Sequence, residues 1–401
     1  MQAYRLNLRH LRAFREIAAQ KSISRAADRV HLSQPAVTQA LSKLEHLVGT
    51  PLFDRAGRGM YLNAPGEIFL HRVARALDLV QSGAKVALRM SLRKQGQGFR
   101  RFDRLMTSAQ LRALIAVAKA GNFSLAARAV GISQPSLHRT ARDFEKLAGI
   151  TMFSRINLGI ELTPPAKELA RFARLAFAEL EQGLDELKAW RGADSGRIVI
   201  GTMPLARAEI LPRAINTLLE RQPNVDISVI DGPYDDLLHG LRHGEIDLLI
   251  GALRPSLPVG DVVQEPLFQD PLVIAARSGH PLARRADLSL KDLSEFGWAV
   301  PRAGTPTRAL FETMFAGDCP RHIVETSSLV LVRGLLVGSD RLAIISAHQM
   351  KHVEQLGLFC RLDFEIPNTH RDIGITLRQG WQPTATQSLF LSLLRDLGAV
   401  F

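Results

Sequence analysis

The sequence predicts a multidomain protein: two all-α, winged helix-turn-helix modules followed by an α/β domain of largely parallel strands. Three observations predict it. The front half of the chain repeats itself at a spacing of one hundred residues, each copy reads as three helices closed by a short hairpin, and from Arg197 the pattern changes to β-branched strands alternating with helices. At 401 residues and 46% apolar, the chain is too hydrophobic for disorder and too long for one ordinary core. Its two cysteines, Cys319 and Cys360, cannot make a disulfide framework, and no apolar run of signal-peptide length follows the start. The longest apolar stretches break well short of the roughly 20 residues a spanning helix needs. A cytoplasmic protein with no membrane domain is the expectation.

The first module begins with Leu8, Leu11, Phe14, Ile17 and Ala18 at helical spacing; Leu111, Leu114, Ile115 and Ala118 repeat the pattern. A second helix is expected after Ser24 (Ser124 in the copy) as N-cap, with the alanine pairs Ala26-Ala27 and Ala126-Ala127 letting a neighbour pack close. The third starts at Ser33 or Ser133, with Pro35 or Pro135 in the first turn, where a missing N–H is tolerated, and stops at Gly49 in the first copy. Residues 106–166 laid over 6–66 without a gap match at about 19 of 61 positions, so one supersecondary unit is present twice.

Helices two and three joined by a short turn, with polar side chains crowding the start of the third, form the layout of a helix-turn-helix. The third helix offers Ser33, Gln34, Pro35, Thr38, Gln39, Ser42 and Lys43 to a major groove: Gln suits adenine, Thr the thymine methyl, Lys a phosphate. Residues 54–62 read as a hairpin wing carrying Arg55 and Arg58. The second copy offers Ser133, Gln134, Pro135, His138, Arg139 and Arg142, and its wing keeps Arg155 alone. Charge supports a polyanion at the front: residues 1–100 carry a net +11, 101–195 a net +4, and 196–401 a net −3. A solvated basic surface or an anionic-lipid patch would share that charge but not the repeated motif. The imbalance favours the first copy as the stronger DNA reader and leaves the second as a further reader or a partly structural mimic.

Leu11 to Phe14, Ser24-Arg-Ala-Ala27, Leu32-Ser-Gln-Pro-Ala-Val-Thr38, Leu44-Glu45, Gly49 and Leu52-Phe-Asp-Arg55 together resemble the winged helix-turn-helix of the LysR-type transcriptional regulators. Gly196 to Gly201, Glu245 to Gly251, Glu265 to Val273 and His280 to Ala283 resemble that family's ligand-sensing domain. The departure is the extra module, since the family normally carries one; by order along the chain the second copy occupies the usual place. The resemblance implies a two-lobed, periplasmic-binding-protein-like sensor. The division it suggests is module 1 at 1–65, a helix and joint at 66–100, module 2 at 101–164, a linker helix at 165–195 and the sensor at 196–401.

After each wing comes a long helical pattern, Gly66 to about Leu92 and Pro165 to about Trp190. In the family the linker helix pairs with that of a partner subunit, which implies a homodimer or homotetramer. An apolar stripe buried on the chain's own body would read the same way. Arg93 to Gly98 reads as a flexible joint.

In the back half, strands are expected at Ile198–Gly201, Val225–Ile230, Leu248–Gly251, Leu272–Ala275 and Leu342–Ile345. Ligands of such sheets lie at the carboxyl ends of strands. That placement puts Thr202, Met203 and Pro204 at the site, and the resemblance adds Arg254 and, from the facing lobe, Pro301 and Arg302. The expected ligand is a small-molecule effector, a sugar or a small organic acid. No nucleophile elbow, phosphate loop or dinucleotide fingerprint is found, so no catalytic residues and no cofactor are expected. His239 with His243 and His348 with His352 have metal-ligand spacing but no third ligand, and read as solvated histidines rather than a metal site. The function expected is a sequence-specific DNA-binding transcription regulator modulated by the effector. The alternatives are a nonspecific chromosome-organising protein and a solute-binding module.

Overall fold

The computed structural model describes residues 2–56, 59–92, 101–157, 159–193, 196–316, 320, 322–367, 369 and 371–400. The chain forms two compact units, the first in the main from residues up to Arg197, the second from Ile198 onward.

The first unit opens with a 3-10 turn, Ala3–Arg5, then α1 (Leu8–Gln20), α2 (Ile23–Val30), α3 (Gln34–Val48), the hairpin β1 (Phe53–Ala56) and β2 (Gly59–Leu62), and the long α4 (Ala64–Leu92). The copy repeats every element: a 3-10 turn Phe102–Arg104, α5 (Ser108–Ala120), α6 (Phe123–Val130), α7 (Gln134–Ala148), β3 (Phe153–Ile156), β4 (Gly159–Leu162) and α8 (Pro164–Trp190). One expectation is corrected. The N-cap of α2 is Ser22, whose hydroxyl accepts from Arg25 N–H, and that of α6 is Asn122, which accepts from Ser124 and Leu125. Lys21 and Gly121 turn the chain in the left-handed region immediately before, so each helix starts two residues earlier than Ser24 and Ser124 suggest.

The identities of the repeat are explained by bonds made twice. Glu45 Oε1 accepts from Leu52 N–H at 2.8 Å, and Glu145 Oε1 from Met152 N–H at 2.8 Å, tying each third helix to its wing. Met60 N–H donates to the Lys21 carbonyl, and Ile160 N–H to that of Gly121.

Both modules and both long helices share one hydrophobic core, from Ala3 and Leu6 through Phe14, Phe69 and Val80 to Phe144, Phe177 and Leu187. The apolar stripes of α4 and α8 are buried on each other within the chain. Small residues set how close they come: a Cβ on Gly83 would fall 2.6 Å from Phe172 Cβ, and one on Gly183 2.9 Å from Arg72 Cβ. At this seam Arg72, 2% exposed, donates to Glu179 Oε2 and Gln182 Oε1, both at 3.0 Å, and grips Glu186 with two nitrogens; Arg75 holds Glu179 from the other side at 2.9 and 3.0 Å. Burial works against the Arg72 charge, but Glu186 and Glu179 outweigh it and hold the guanidinium more firmly protonated than in water.

The second unit contains β5 (Arg197–Thr202), α9 (Ile210–Arg221), β6 (Asp226–Asp231), α10 (Tyr234–Arg242), β7 (Leu248–Ala252), β8 (Val262–Asp270), β9 (Leu272–Arg277), α11 (Leu290–Ser294), β10 (Trp298–Val300), α12 (Pro306–Met314), β11 (Ile323–Glu325), α13 (Leu329–Val337), β12 (Leu342–Ser346), α14 (Ala347–Gln355), β13 (Phe359–Arg361), β14 (Arg371–Arg378) and α15 (Ala385–Gly398). Two five-stranded sheets, ordered β6-β5-β7-β14-β8 and β11-β10-β12-β9-β13, make the two lobes. The five expected strands are present, but the sheets are mixed rather than largely parallel. β5 and β7 run parallel, as do β10 with β11 and β12; β14 runs antiparallel to β7 and β8, and β9 antiparallel to β12 and β13. The reason is the crossing. β8 passes into β9 through Pro271 alone, and β13 returns to β14 without a helix, so these strands enter the opposite sheet with no crossover to set them parallel.

Among the described residues no helix is long and apolar enough to cross a membrane, and no group of three metal-ligating side chains is found. His348 is not solvated as expected: its Nδ1 lies 2.8 Å from Asp270 Oδ1. His280 is buried, accepts from Leu282 N–H at Nδ1 and so carries its proton on Nε2, 3.2 Å from the Asp340 carbonyl.

Two outcomes follow from this packing. Removing both acids, Glu179→Ala with Glu186→Ala, strands the buried Arg72 and should cost about 3–5 kcal/mol in urea unfolding of the full chain; a loss within experimental error would show the cluster to be solvated. Burial, only partly opposed by Asp340, lowers the His280 pKa below its ordinary 6.5. The unfolded chain therefore takes up the proton first, so the stability this residue contributes is full above about pH 6.5 and is lost as pH falls through that value. Wild type should lose stability relative to His280→Asn between about pH 7 and 5, by about 1.4 kcal/mol for each pH unit of depression; parallel curves would refute a neutral, buried imidazole.

Candidate nucleic-acid interface

The turn between α2 and α3 is made by chemistry that leaves one helix face bare. His31 takes the left-handed conformation at φ 53°, Leu32 N–H closes back on the Ala27 carbonyl, and Ser33 caps α3 by accepting from Ala36 N–H. Val37, Ala40, Leu41, Leu44 and Val48 then face the core, which leaves Ser33, Gln34, Pro35, Thr38, Gln39, Ser42 and Lys43 exposed. α7 has the same division, with Leu137, Ala141, Phe144 and Ala148 inside and Ser133, Gln134, Pro135, His138, Arg139 and Arg142 outside. Each exposed row begins at a capped N-terminus, where side chains and free N–H groups both suit a polyanion.

Several of these side chains are already held. Gln34 Nε2 donates to Ser24 Oγ at 2.5 Å, and Ser124 Oγ donates to Gln134 Oε1 at 3.0 Å. Ser24 and Ser124 are thus braces for Gln34 and Gln134 rather than caps, a role that helical spacing alone does not reveal. Thr38 donates its hydroxyl to the Gln34 carbonyl at 3.0 Å, leaving its methyl as the group with no bond to make. Gln39, Ser42, Lys43 and Arg139 stand exposed beside them. His138 lies edge-on to Phe123, ring centres 5.1 Å apart, and Arg142 pairs with Glu145 at 2.5 Å. Burial and Lys43 lower the pKa of nearby His10, so His10 adds no charge to this face at neutral pH.

The wings project exposed arginines, Arg55 on β1 and Arg155 on β3; Arg58 lies outside the described residues, as does the joint at Arg93 to Gly98. Tyr61, half exposed on β2, has Lys21 Nζ 5.7 Å from its ring centre, a pairing the sequence reading did not single out. In the second module His138, Arg142 and Arg155 converge with Phe123, Gln134 and Phe153 on a cleft of about 320 Å³.

The expected effector residues of the second unit divide into exposed ones and ones that pack. Thr202 is fully buried at the end of β5, and Met203 N–H donates to the Ile250 carbonyl, pinning the turn to β7. The Met203 side chain packs across Gly251 into the first lobe. The carbonyl of exposed Pro204 accepts from Gln349 Nε2 at 3.1 Å, so this turn meets the facing lobe. Arg254 lies 4.4 Å over the Tyr234 ring. The Tyr234 hydroxyl is buried without a partner, and burial, against the pull of Arg254, raises its pKa and keeps it a neutral donor. Pro301 is half-buried, Arg302 is exposed, and Thr305 caps α12 while donating its hydroxyl to the Arg302 carbonyl.

Asp270, Arg371 and His348 were not singled out from the sequence as a site. Asp270, fully buried where β8 crosses to β9, binds Arg371 Nη2 at 2.8 Å, Ser346 Oγ at 2.7 Å and His348. Arg371 also donates to Thr307 Oγ1 at the start of α12 and keeps a buried Nε without a partner. An acid flanked by strand residues gives no periodic signal of such a junction.

Two family models match the chain. One, described as a bacterial regulatory helix-turn-helix protein of the lysR family, matches twice, at residues 8–67 and 108–167; the other, the LysR substrate binding domain, matches residues 191–399. The HTH-type transcriptional regulator GalR of Pseudomonas putida is 34% identical over 394 residues, covering 98% of this chain and 97% of its own. PcaQ of Agrobacterium fabrum is 24% identical and covers 73% of this chain and 96% of its own. Among solved structures, a full-length OxyR variant from Pseudomonas aeruginosa (22% identical, TM-score 0.51) covers 72% of this chain and 97% of itself. Full-length CbnR complexed with its target DNA (22% identical, TM-score 0.50) covers 72% of this chain and 98% of itself. The PcaQ, OxyR and CbnR matches thus take in about three quarters of this chain, whereas the GalR likeness runs across both modules.

Proposed function

Because the chain belongs to the LysR family of transcriptional regulators, which bind DNA and respond to small-molecule effectors, we propose that its reading surface is the exposed, Ser-capped face of α3 and α7 and that its effector is a small organic acid. The observation that carries the DNA reading is the division of α3: every apolar side chain of its inner row is buried, and Gln34, Thr38, Gln39, Ser42 and Lys43 are all bare. Gln39 supplies an amide for a base edge, Thr38 a methyl, and Lys43, Arg55 and Arg155 charge for the phosphates. In this reading Pro204, Arg254, Pro301 and Arg302 border the effector cleft, and buried Thr202 and packed Met203 hold the turn behind them. The acid is favoured over a sugar by the cations Arg254 and Arg302, by the open Nε of Arg371 and by the capped start of α12, which Arg371 reaches through Thr307. The place of action is the cytoplasm, where the DNA is. An effector that prefers one arrangement of the lobes changes DNA affinity, and DNA must change effector affinity by the same factor.

The test is footprinting on the chain's own upstream DNA, with and without panels of small carboxylic acids and sugars. Gln39→Ala should relax discrimination at one or two base pairs by about 1–3 kcal/mol. Arg55→Ala should weaken every duplex alike and reduce the salt slope by about 0.9. Equal effects of both changes on all duplexes would contradict specific reading, and a protection pattern altered by sugars but by no carboxylate would contradict the acid.

A further inference from the structure

The contacts between the two modules are reciprocal under the one-hundred-residue offset. Gly83 abuts Phe172, and Gly183 abuts Arg72; adding one hundred to 83 and subtracting it from 172 turns the first pair into the second. The turn Ala3–Arg5 packs on α8, and its counterpart Phe102–Arg104 packs on α4. Arg12 donates to the carbonyls of Asp103 and Met106, while Arg112 stacks 5.7 Å over the Tyr4 ring. Leu8 and Ser108, equivalent positions, touch each other, since Leu8 N–H donates to Ser108 Oγ at 3.1 Å. Contacts in which i meets j and the counterpart of j meets the counterpart of i define an isologous two-fold interface, and equivalent residues meet only near its axis.

We propose that one chain carries a complete pseudo-two-fold DNA-reading head, and that it reads an operator of two unlike half-sites, α3 on one and α7 on the other. This rests on the reading of the α3 face as a DNA surface. A two-fold rotation keeps height along its axis, so α3 and α7 sit at the same level of the head. The half-sites must differ because the helices do. Beyond the shared Ser-Gln-Pro, Thr38, Gln39, Ser42 and Lys43 are replaced by His138, Arg139, Arg142 and Asp143. Glutamine at 39 suits adenine and arginine at 139 suits guanine, so an inverted repeat cannot satisfy both.

The seam argues that the head is built from unlike halves. Arg72 and Arg75 lie on α4, Glu179 and Glu186 on α8, and at the equivalent positions α8 has Phe172 and Leu175 and α4 has Leu79 and Val86. Pairing α4 with a second α4 in this register would bury Arg72 and Arg75 against Leu79, Gly83 and Val86 with no acid to meet them, and α8 with α8 would bury Glu179 and Glu186 against Phe172 and Leu175 with no arginine in their place. The duplication has therefore diverged into a complementary pair.

The experiment is selection of a binding motif by the full chain from a random duplex library, followed by native mass spectrometry with short duplexes carrying one selected site in excess. The expected motif has two half-sites of different sequence, and one chain occupies each duplex at saturation. Gln39→Ala should erase about tenfold or more of the preference in one half and Arg139→Ala in the other. Identical inverted half-sites, two chains on every saturated duplex, or an Arg139→Ala motif unchanged at every position would overturn the proposal while leaving a sequence-specific regulator. Enrichment of no motif would overturn DNA reading itself, and this proposal with it.

Discussion

The first unit depends on the seam between α4 and α8. Neither helix buries its apolar stripe alone, and each module closes its core only by packing its long helix on the other. The glycines at 83 and 183 let the backbones approach, and the Arg72 cluster settles which helix faces which. A buried guanidinium adds little stability compared with a well-packed apolar side chain, but it penalises every pairing that fails to supply its acids. It acts as a register and partner device, which suits a pair of helices descended from one sequence.

Much of this was legible in the sequence, for identifiable reasons. Ser33 and Ser133, Pro35 and Pro135, and Gly49 act locally, so spacing alone placed α3 and α7 to the residue at their N-caps. Ser24 and Ser124 misled because a good capping residue two positions inside a helix looks like a cap; only the folded chain shows their hydroxyls turned to Gln34 and Gln134. The destination of the long apolar stripes was open as well. A helix with one apolar face states that it needs a partner and is silent on whose, and the answer lay in charges one hundred residues apart that no window of local periodicity connects.

The second unit shows the same division. Runs such as Leu248–Ala252 and Leu342–Ser346 are strands because β-branched and aliphatic side chains are buried on both faces of a sheet, and those were readable. Strand direction was not, because it depends on two crossings between lobes that follow no helix. Asp270 sits at one of these crossings and Arg371 at the other, register partners across β8 and β14 that bind each other and reach Ser346, His348 and Thr307. Any ligand that shifts the lobes works against this set of bonds. That gives the sensing half a defined junction on which binding free energy can act.

If α4 finds its partner in its own chain, the most direct measurement is a spin-label distance between Lys85→Cys on α4 and Lys167→Cys on α8, both exposed positions, in full-length protein lacking Cys319 and Cys360. The labelled chain is unfolded and refolded in a large excess of unlabelled chain. Pairing within the chain predicts that the short distance survives with its full amplitude, because both labels belong to one head. Loss of that distance in proportion to dilution would show that the helices pair between subunits, and would contradict it.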